Sequence, residues 1–126
     1  MRRTVTLRHT ATGRPLLTRV RWADSFGSRL RGFMFRRSLA PGEALVMVEA
    51  RESQVATSIH MFFVTFALGV VWLDNAGRVV DKVEALPWRP YYAPRGPARY
   101  ILETHPDFLA QVAVGDLLAF DDDDPA

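Results

Sequence analysis

The chain contains no cysteine. Disulfides, thiolate metal sites and a cysteine nucleophile are therefore excluded. Lysine is nearly absent: Lys82 is the single one, and fifteen arginines supply the rest of the basic charge. Histidine is scarce. His9, His60 and His105 are widely separated, and no H-x-H, H-x-x-H or H-E-x-x-H pair exists, so a metal site lacks its usual sign. Neither Gly-x-Gly-x-x-Gly nor a P-loop occurs, and no cofactor is expected. None of Ser25, Ser28, Ser38, Ser53 or Ser58 lies in a Gly-x-Ser-x-Gly setting. The longest apolar run, Met61–Leu73, has thirteen residues with Thr65 inside it, against about 20 for a spanning helix. Arg2 and Arg3 resemble the start of a leader, but Thr4, Thr6, Arg8, His9 and Thr10 interrupt the apolar stretch that a leader requires next. The expectation is a soluble, cytoplasmic chain with no membrane partner.

What is present is enough for one ordinary domain. The 126 residues are 48% hydrophobic, which suits a real core. The net charge of +2 conceals a split: residues 1–40 sum to +9, and residues 41–126 to −7, four of those acids being Asp121–Asp124. An Arg-rich face suits phosphate or carboxylate ligands, since guanidinium forks match those groups. The plainer account is arginines on solvated faces, as net charge speaks first to solubility. Nucleic acid is disfavoured as a partner: no RNP motif, helix-turn-helix or basic run occurs, and the acidic second half opposes broad attraction to phosphates.

Alternation predicts strands at Thr4–Arg8 and Leu16–Trp22, with Arg19 and Arg21 on a solvated face of the second. Asp24-Ser25 reads as an N-cap, with Phe26, Leu30 and Phe33 on one face of a short helix that Gly32 ends. Ala44–Val48 reads as a strand and Glu49–Gln54 as a charged loop. Thr57–Val64 and Phe66–Leu73 read as two buried strands or one bent strand. Asp74-Asn75-Ala76-Gly77 turns the chain into Val79–Val83. Leu86–Pro97, with four prolines, Trp88, Tyr91 and Tyr92, is a rigid aromatic loop that either caps the core or carries function. Arg99–Glu103 is a strand; Thr104 caps a second short helix with Pro106 inside it; Leu117–Phe120 is the last strand. The fold class is mainly β, with seven or eight short strands and two short helices. They form a single compact antiparallel barrel-like or strongly bent sheet. Residues 1–120 form the domain and 121–126 an acidic disordered tail.

His60 interrupts an apolar stretch and reads either as a base or ligand donor at a pocket mouth or as a core histidine bonded to a carbonyl. Glu103 reads as a carboxylate at a pocket rim or as a structural ion pair with Arg31 or Arg36. Met34, Phe35, Met47, Met61, Phe62 and Phe63 either line an apolar cavity or simply pack.

Four ordered segments carry a resemblance. Arg31-Gly32-Phe33-Met34-Phe35-Arg36-Arg37-Ser38-Leu39, Thr57–Asp74, Asn75-Ala76-Gly77-Arg78-Val79-Val80, and Ala98–Glu103 with Val114-Gly115-Asp116 together resemble the domain of unknown function 192 family, over roughly residues 16–120. The resemblance implies a mainly antiparallel, barrel-like β domain and no established reaction. Many members carry an export leader, which this chain does not show. Where the family reads Pro-(Leu/Ile)-Asp after its aromatic run, this chain has Ala67-Leu68-Gly69. Either a functional aspartate has been lost there or a turn residue has been replaced by one that suits turns equally.

Three readings stay open. The first is a binding module for a small ligand, with an anionic one in view. Its pocket would come from Gly32–Arg36, His60–Phe63 and Trp88–Tyr92, and its candidate contacts are Arg31, Met34, Arg36, His60, Phe62, Trp88 and Glu103. The second is a hydrolase using His60 with Glu103 or Asp81. The third is a protein-interaction or structural domain marked by an exposed apolar patch at Trp88–Tyr92.

Overall fold

A computed structural model of the chain describes residues 3–24, 33–34, 36–40 and 42–123. The helix expected from Ser25 onward lies outside them, as do Arg31 and Gly32. Seven strands follow in order: β1 (Thr4–His9), β2 (Pro15–Ala23), β3 (Leu45–Ser53), β4 (Leu68–Leu73), β5 (Val79–Ala85), β6 (Ala98–Thr104) and β7 (Leu118–Asp122). A six-residue 3-10 helix, Pro106–Gln111, precedes β7. The strands make one sheet in the order β5-β4-β6-β3-β2-β1-β7. All pairs are antiparallel except β2 with β3. A parallel pair needs a long crossover, and residues 24–44 provide it. The predicted class holds: the protein is mainly β, a curled half-barrel.

Curling brings the two edge strands together at one end. Leu118 donates its N–H to the Gly77 carbonyl at 2.9 Å, and Val79 to the Asp116 carbonyl at 2.8 Å. Gly77 has φ +91°, and a Cβ there would run into the Leu118 carbonyl, so the clasp requires glycine.

Successive side chains alternate between faces. Val46 and Val48 of β3, Val71 and Leu73 of β4 and Leu102 of β6 point to an inner core, which Val5, Leu7, Val20, Phe108 and Leu118 complete. Leu45, Met47, Leu68, Val70, Trp72 and Ile101 point the other way, into an outer core closed by Phe33, Met61 and Val64. β4 is therefore buried along its whole length, which is why its sequence shows no alternation.

Four boundaries depart from the sequence reading. β3 continues through Glu49–Ser53, read as a loop: its exposed charges extend past the core into solvent and do not break a strand. Residues 57–64 form no strand beyond an Ile59–Tyr92 bridge. Their backbone groups bond to the 86–92 loop, so the apolar run is a cover over the sheet. The 3-10 helix is capped by His105, whose Nδ1 accepts from the Asp107 N–H at 3.2 Å; Thr104 instead donates to the His105 carbonyl at 2.9 Å. Finally, Asp121 and Asp122, placed in the acidic tail by the sequence reading, belong to β7. Asp121 meets Arg8 Nε at 2.8 Å, Asp122 meets Arg3 Nε at 2.7 Å, and Asp123 accepts from the Thr4 and Thr6 hydroxyls at 2.7 and 2.6 Å.

Candidate functional site

The outer face is roofed by irregular chain. Residues 59–61 and 86–92 hold each other through backbone hydrogen bonds. Ile59 and Tyr92 exchange N–H···O bonds at 2.8 and 2.9 Å, Met61 donates to the Arg89 carbonyl at 2.8 Å, and Trp88 donates to the Met61 carbonyl at 3.0 Å. The Tyr92 hydroxyl accepts from the Leu86 N–H at 2.9 Å. Met61 is buried beneath this pair, while Phe62, Phe63, Trp88 and Tyr91 are exposed. Phe63 and Trp88 have φ of +62° and +65°, a left-handed conformation that is costly for bulky residues. Their rings meet edge-on at 5.3 Å.

Of the residues expected at the site, His60, Phe62 and Trp88 come together on this loop pair. His60 is exposed; its Nδ1 accepts from the Phe62 N–H at 3.2 Å, and its ring lies 5.2 Å from that of Phe62. Met34 is half-buried against the outer core. Arg36 is exposed and pairs with Glu43 at 2.9 Å, its guanidinium 5.7 Å from the Phe33 ring. Arg31 lies outside the described residues.

Glu103 does not reach a rim. It is buried on β6, on the outer-face side of the sheet with Ile101. A row of backbone partners crosses the sheet there: Arg21 beside Leu45, Leu45 beside Glu103, Glu103 beside Val70. Strand spacing puts the Arg21 and Glu103 backbones about 10 Å apart, within reach of two long side chains. Burial pushes the Glu103 carboxyl up to about 7, and the Arg21 charge pulls it partly back. The charge partner is thus Arg21, not Arg36, which is held by Glu43. Arg21, read as part of a solvated strand face, is half-buried with its guanidinium 5.4 Å from the Phe33 ring.

Among the described residues no hydrogen bond or ion pair joins His60 to Glu103 or Asp81. Asp81 faces Arg95, accepting from its N–H at 3.2 Å. No group of three or more His, Asp or Glu among the described residues is placed to hold a metal ion, and none of their helices is long and apolar enough to cross a membrane. Gly69 lies on the inner side of β4, where a Cβ would come within 2.9 Å of the His105 carbonyl and of Thr104 Oγ1. Close packing against His105, Thr104 and Leu109 leaves no room for a side chain at this position.

The sequence reading drew its pocket from His60–Phe63 and Trp88–Tyr92 but did not name Phe63, Arg89 or Tyr91 among its candidate contacts. The Phe62-Phe63 doublet held a signal: neighbours on a strand cannot both face one core, so an aromatic pair marks an exposed ring or a break in the strand.

The DUF192 family model, described as an uncharacterised ACR, matches residues 7–120. A UPF0127 protein of Thermococcus sibiricus is 43% identical over 86 residues, covering 68% of this chain and 54% of that one. One from Thermococcus kodakarensis is 38% identical over 104 residues, covering 81% and 64%, and one from Pyrococcus furiosus is 36% identical over 108 residues, covering 84% and 90%. The chain thus spans about half to two thirds of the length of the two Thermococcus relatives. Two solved structures share the fold. One is a Sinorhizobium meliloti protein described as a candidate transcription regulator, with TM-score 0.80, 24% identity and coverage of 95% of this chain and 94% of that one. The other is a Novosphingobium aromaticivorans protein of unknown function, with TM-score 0.75, 21% identity and coverage of 92% and 83%. With its four motif segments in order and the family model spanning nearly the whole domain, the chain belongs to the DUF192 family.

Proposed function

We propose that the protein is a binding module for a small ligand, taken up on the outer face by the 59–63 and 86–92 loops. One observation carries the reading: Phe63 and Trp88 are held in left-handed backbone while exposing their rings. Fold stability gains little from exposed rings on a strained backbone, whereas a pre-ordered aromatic surface lowers the entropy lost on binding. His60 and Arg89, both exposed on the same loops, supply donors for an anionic group. The ligand class is a flat ring or hydrocarbon body bearing a carboxylate or phosphate.

Trp22 is partly buried and Trp72 fully buried, while Trp88 is 51% exposed, so Trp88 reports on the site. Titration with phenylacetate and phenyl phosphate should give a saturable blue shift of its emission. Phe62→Ala and Arg89→Ala should weaken the response, and Trp88→Phe should remove it. No saturable change with either probe would sink the reading. A second reading, docking of another protein on the same rings, is favoured by their continuity with exposed Leu86 and Tyr91; it predicts no response to either small acid.

A further inference from the structure

The outer roof is set apart by its charge. Residues 53–73 and 85–102, which supply it, contain no aspartate or glutamate, although every acidic residue of the chain but Asp24 lies at position 43 or later. Of the acids on neighbouring elements, Asp81 is met by Arg95 Nε at 3.9 Å and Glu43 by Arg36 Nη2 at 2.9 Å. Glu84, paired with Gly69, points to the inner side of the sheet. The Arg36–Arg37 segment is tied to the roof, the Arg36 carbonyl accepting from the Thr65 hydroxyl at 3.5 Å. Arg37 and Arg89 are exposed, and neither is in an ion pair among the described residues. The roof is therefore positive within the part of the chain whose overall charge is negative.

Its apolar side chains are as uneven. Phe62, Phe63, Leu86, Trp88 and Tyr91 are each between 39% and 63% exposed. They are not scattered, because their two loops are bonded backbone to backbone and the Phe63 ring rests edge-on against Trp88. Side chains that line a pocket shield one another, and a pocket encloses most of its ligand; rings this exposed protrude instead. Trp and Tyr settle at the boundary between hydrocarbon and water. Arginines beside them are drawn to anionic headgroups, which would repel any acid in the contact. Such contact needs no spanning segment; the shortness of the chain's apolar runs bears on crossing a bilayer, not on touching one.

We propose that the outer roof docks on an anionic lipid surface, Phe62, Phe63, Leu86 and Trp88 entering the headgroup boundary while Arg37 and Arg89 meet lipid phosphates. The proposal rests on the reading of these loops as a pre-ordered aromatic surface. It names what brings hydrocarbon and phosphate to them together: a bilayer, not a single dissolved acid.

The test is co-sedimentation of the full chain with vesicles of phosphatidylglycerol and phosphatidylcholine in equal parts, against phosphatidylcholine alone, with tryptophan emission read in brominated lipid. Binding should require the anionic lipid, fall with rising salt and quench an emission that Trp88→Phe largely removes. Arg89→Glu should weaken binding by at least about fivefold, and Leu86→Ser and Trp88→Ser each severalfold. Arg14→Glu, the same change of charge on the β1–β2 turn, should weaken it much less. Should any variant fold poorly, quenching in the unaltered chain still decides. Equal loss in Arg14→Glu, or binding without quenching, would reduce the contact to net charge and overturn the proposal. Failure to bind anionic vesicles, with a response to phenylacetate or phenyl phosphate retained, would overturn it and leave the small-ligand reading standing. Binding to vesicles with no response to either acid would uphold it and sink that reading. A dimer that Trp88→Ser breaks, without vesicle binding, would assign the face to a second copy of the chain.

Discussion

The two faces of the sheet are built differently. The inner core is mostly aliphatic around Phe108, with Trp22, Tyr100 and Phe120 at its margin, drawn from regular strands and closed by one short helix. The outer core holds the bulkier side chains Phe33, Met47, Met61 and Trp72, carries the buried charge of Glu103, and is roofed by irregular chain. The inner side keeps its marginal rings, Trp22, Tyr100 and Phe120, half-buried, whereas the roof exposes Phe62, Phe63, Trp88 and Tyr91. A roof of loops can change its outer surface while its inner side chains keep the core sealed. The outer face is thus where this fold can vary its chemistry at small cost to its stability.

The contrast can be broken in four ways, in decreasing order of expected effect. Leu102→Ala, in the inner core, should cost about 2–5 kcal/mol of global stability in denaturant unfolding. Met61→Ala should instead show first as faster amide exchange in residues 57–64 and 86–92, because its side chain pins a loop. Equal loss of protection across all seven strands in both variants would erase the difference between the faces.

Glu103 gives the next effect. Its folded value of about 7 lies above the ordinary 4.5, so the folded state holds the proton more tightly. The associated stability is complete below pH 4.5 and is lost as pH rises through 7. At 1.36 kcal/mol per unit the loss is about 3 kcal/mol. Glu103→Gln should flatten that part of the stability–pH curve; parallel curves for the two proteins would remove the assignment. Gly69→Ala, pressed against the His105 carbonyl, should cost about 1–3 kcal/mol by overpacking the inner face, and an unchanged melting temperature would contradict that packing. Trp88→Gly should move stability by less than about 1 kcal/mol. Relief of left-handed strain, about 1–2 kcal/mol, offsets the lost contact with Phe63, about 0.5–1.5 kcal/mol. A larger loss in thermal unfolding would make Trp88 part of the core.

The inner face was legible in the sequence because period-two alternation reports a strand with one buried side. β1, β2 and β6 were recognisable in this way, the β4–β5 hairpin by its Asp74-Asn75-Ala76-Gly77 turn, and the motif order pointed to the family. The roof was not legible. An apolar run such as Ile59–Val64 reads alike as a buried strand or as a lid, and the choice depends on Tyr92 and Arg89, some thirty residues away, supplying its backbone partners. The Glu103–Arg21 pairing was hidden for a similar reason: it crosses β3, and the parallel β2–β3 register that aligns the two has no local sequence signal. Trp88 stood out because its loop carries prolines and aromatics, and His60 because it interrupts an apolar stretch, whereas for Phe63 hydrophobicity alone left packing and cavity lining both readable.

The meeting of β1 with β7 has a consequence for how the protein is made. Val5 pairs with Asp122 and His9 with Leu118, so the outer edge of β1 stays uncovered until β7, about 110 residues later in the chain, has been made. Until then the nascent β1–β2 hairpin presents an open row of peptide groups, the feature that invites pairing with another chain. Arg3 and Arg8 lie along that edge, and like charge there opposes pairing of two such hairpins; in the folded chain Asp122 and Asp121 of β7 face them. Closing the sheet thus places the Arg3 and Arg8 side chains of the β1 end against Asp122 and Asp121 of β7, so the pairing that covers the edge also balances its charge.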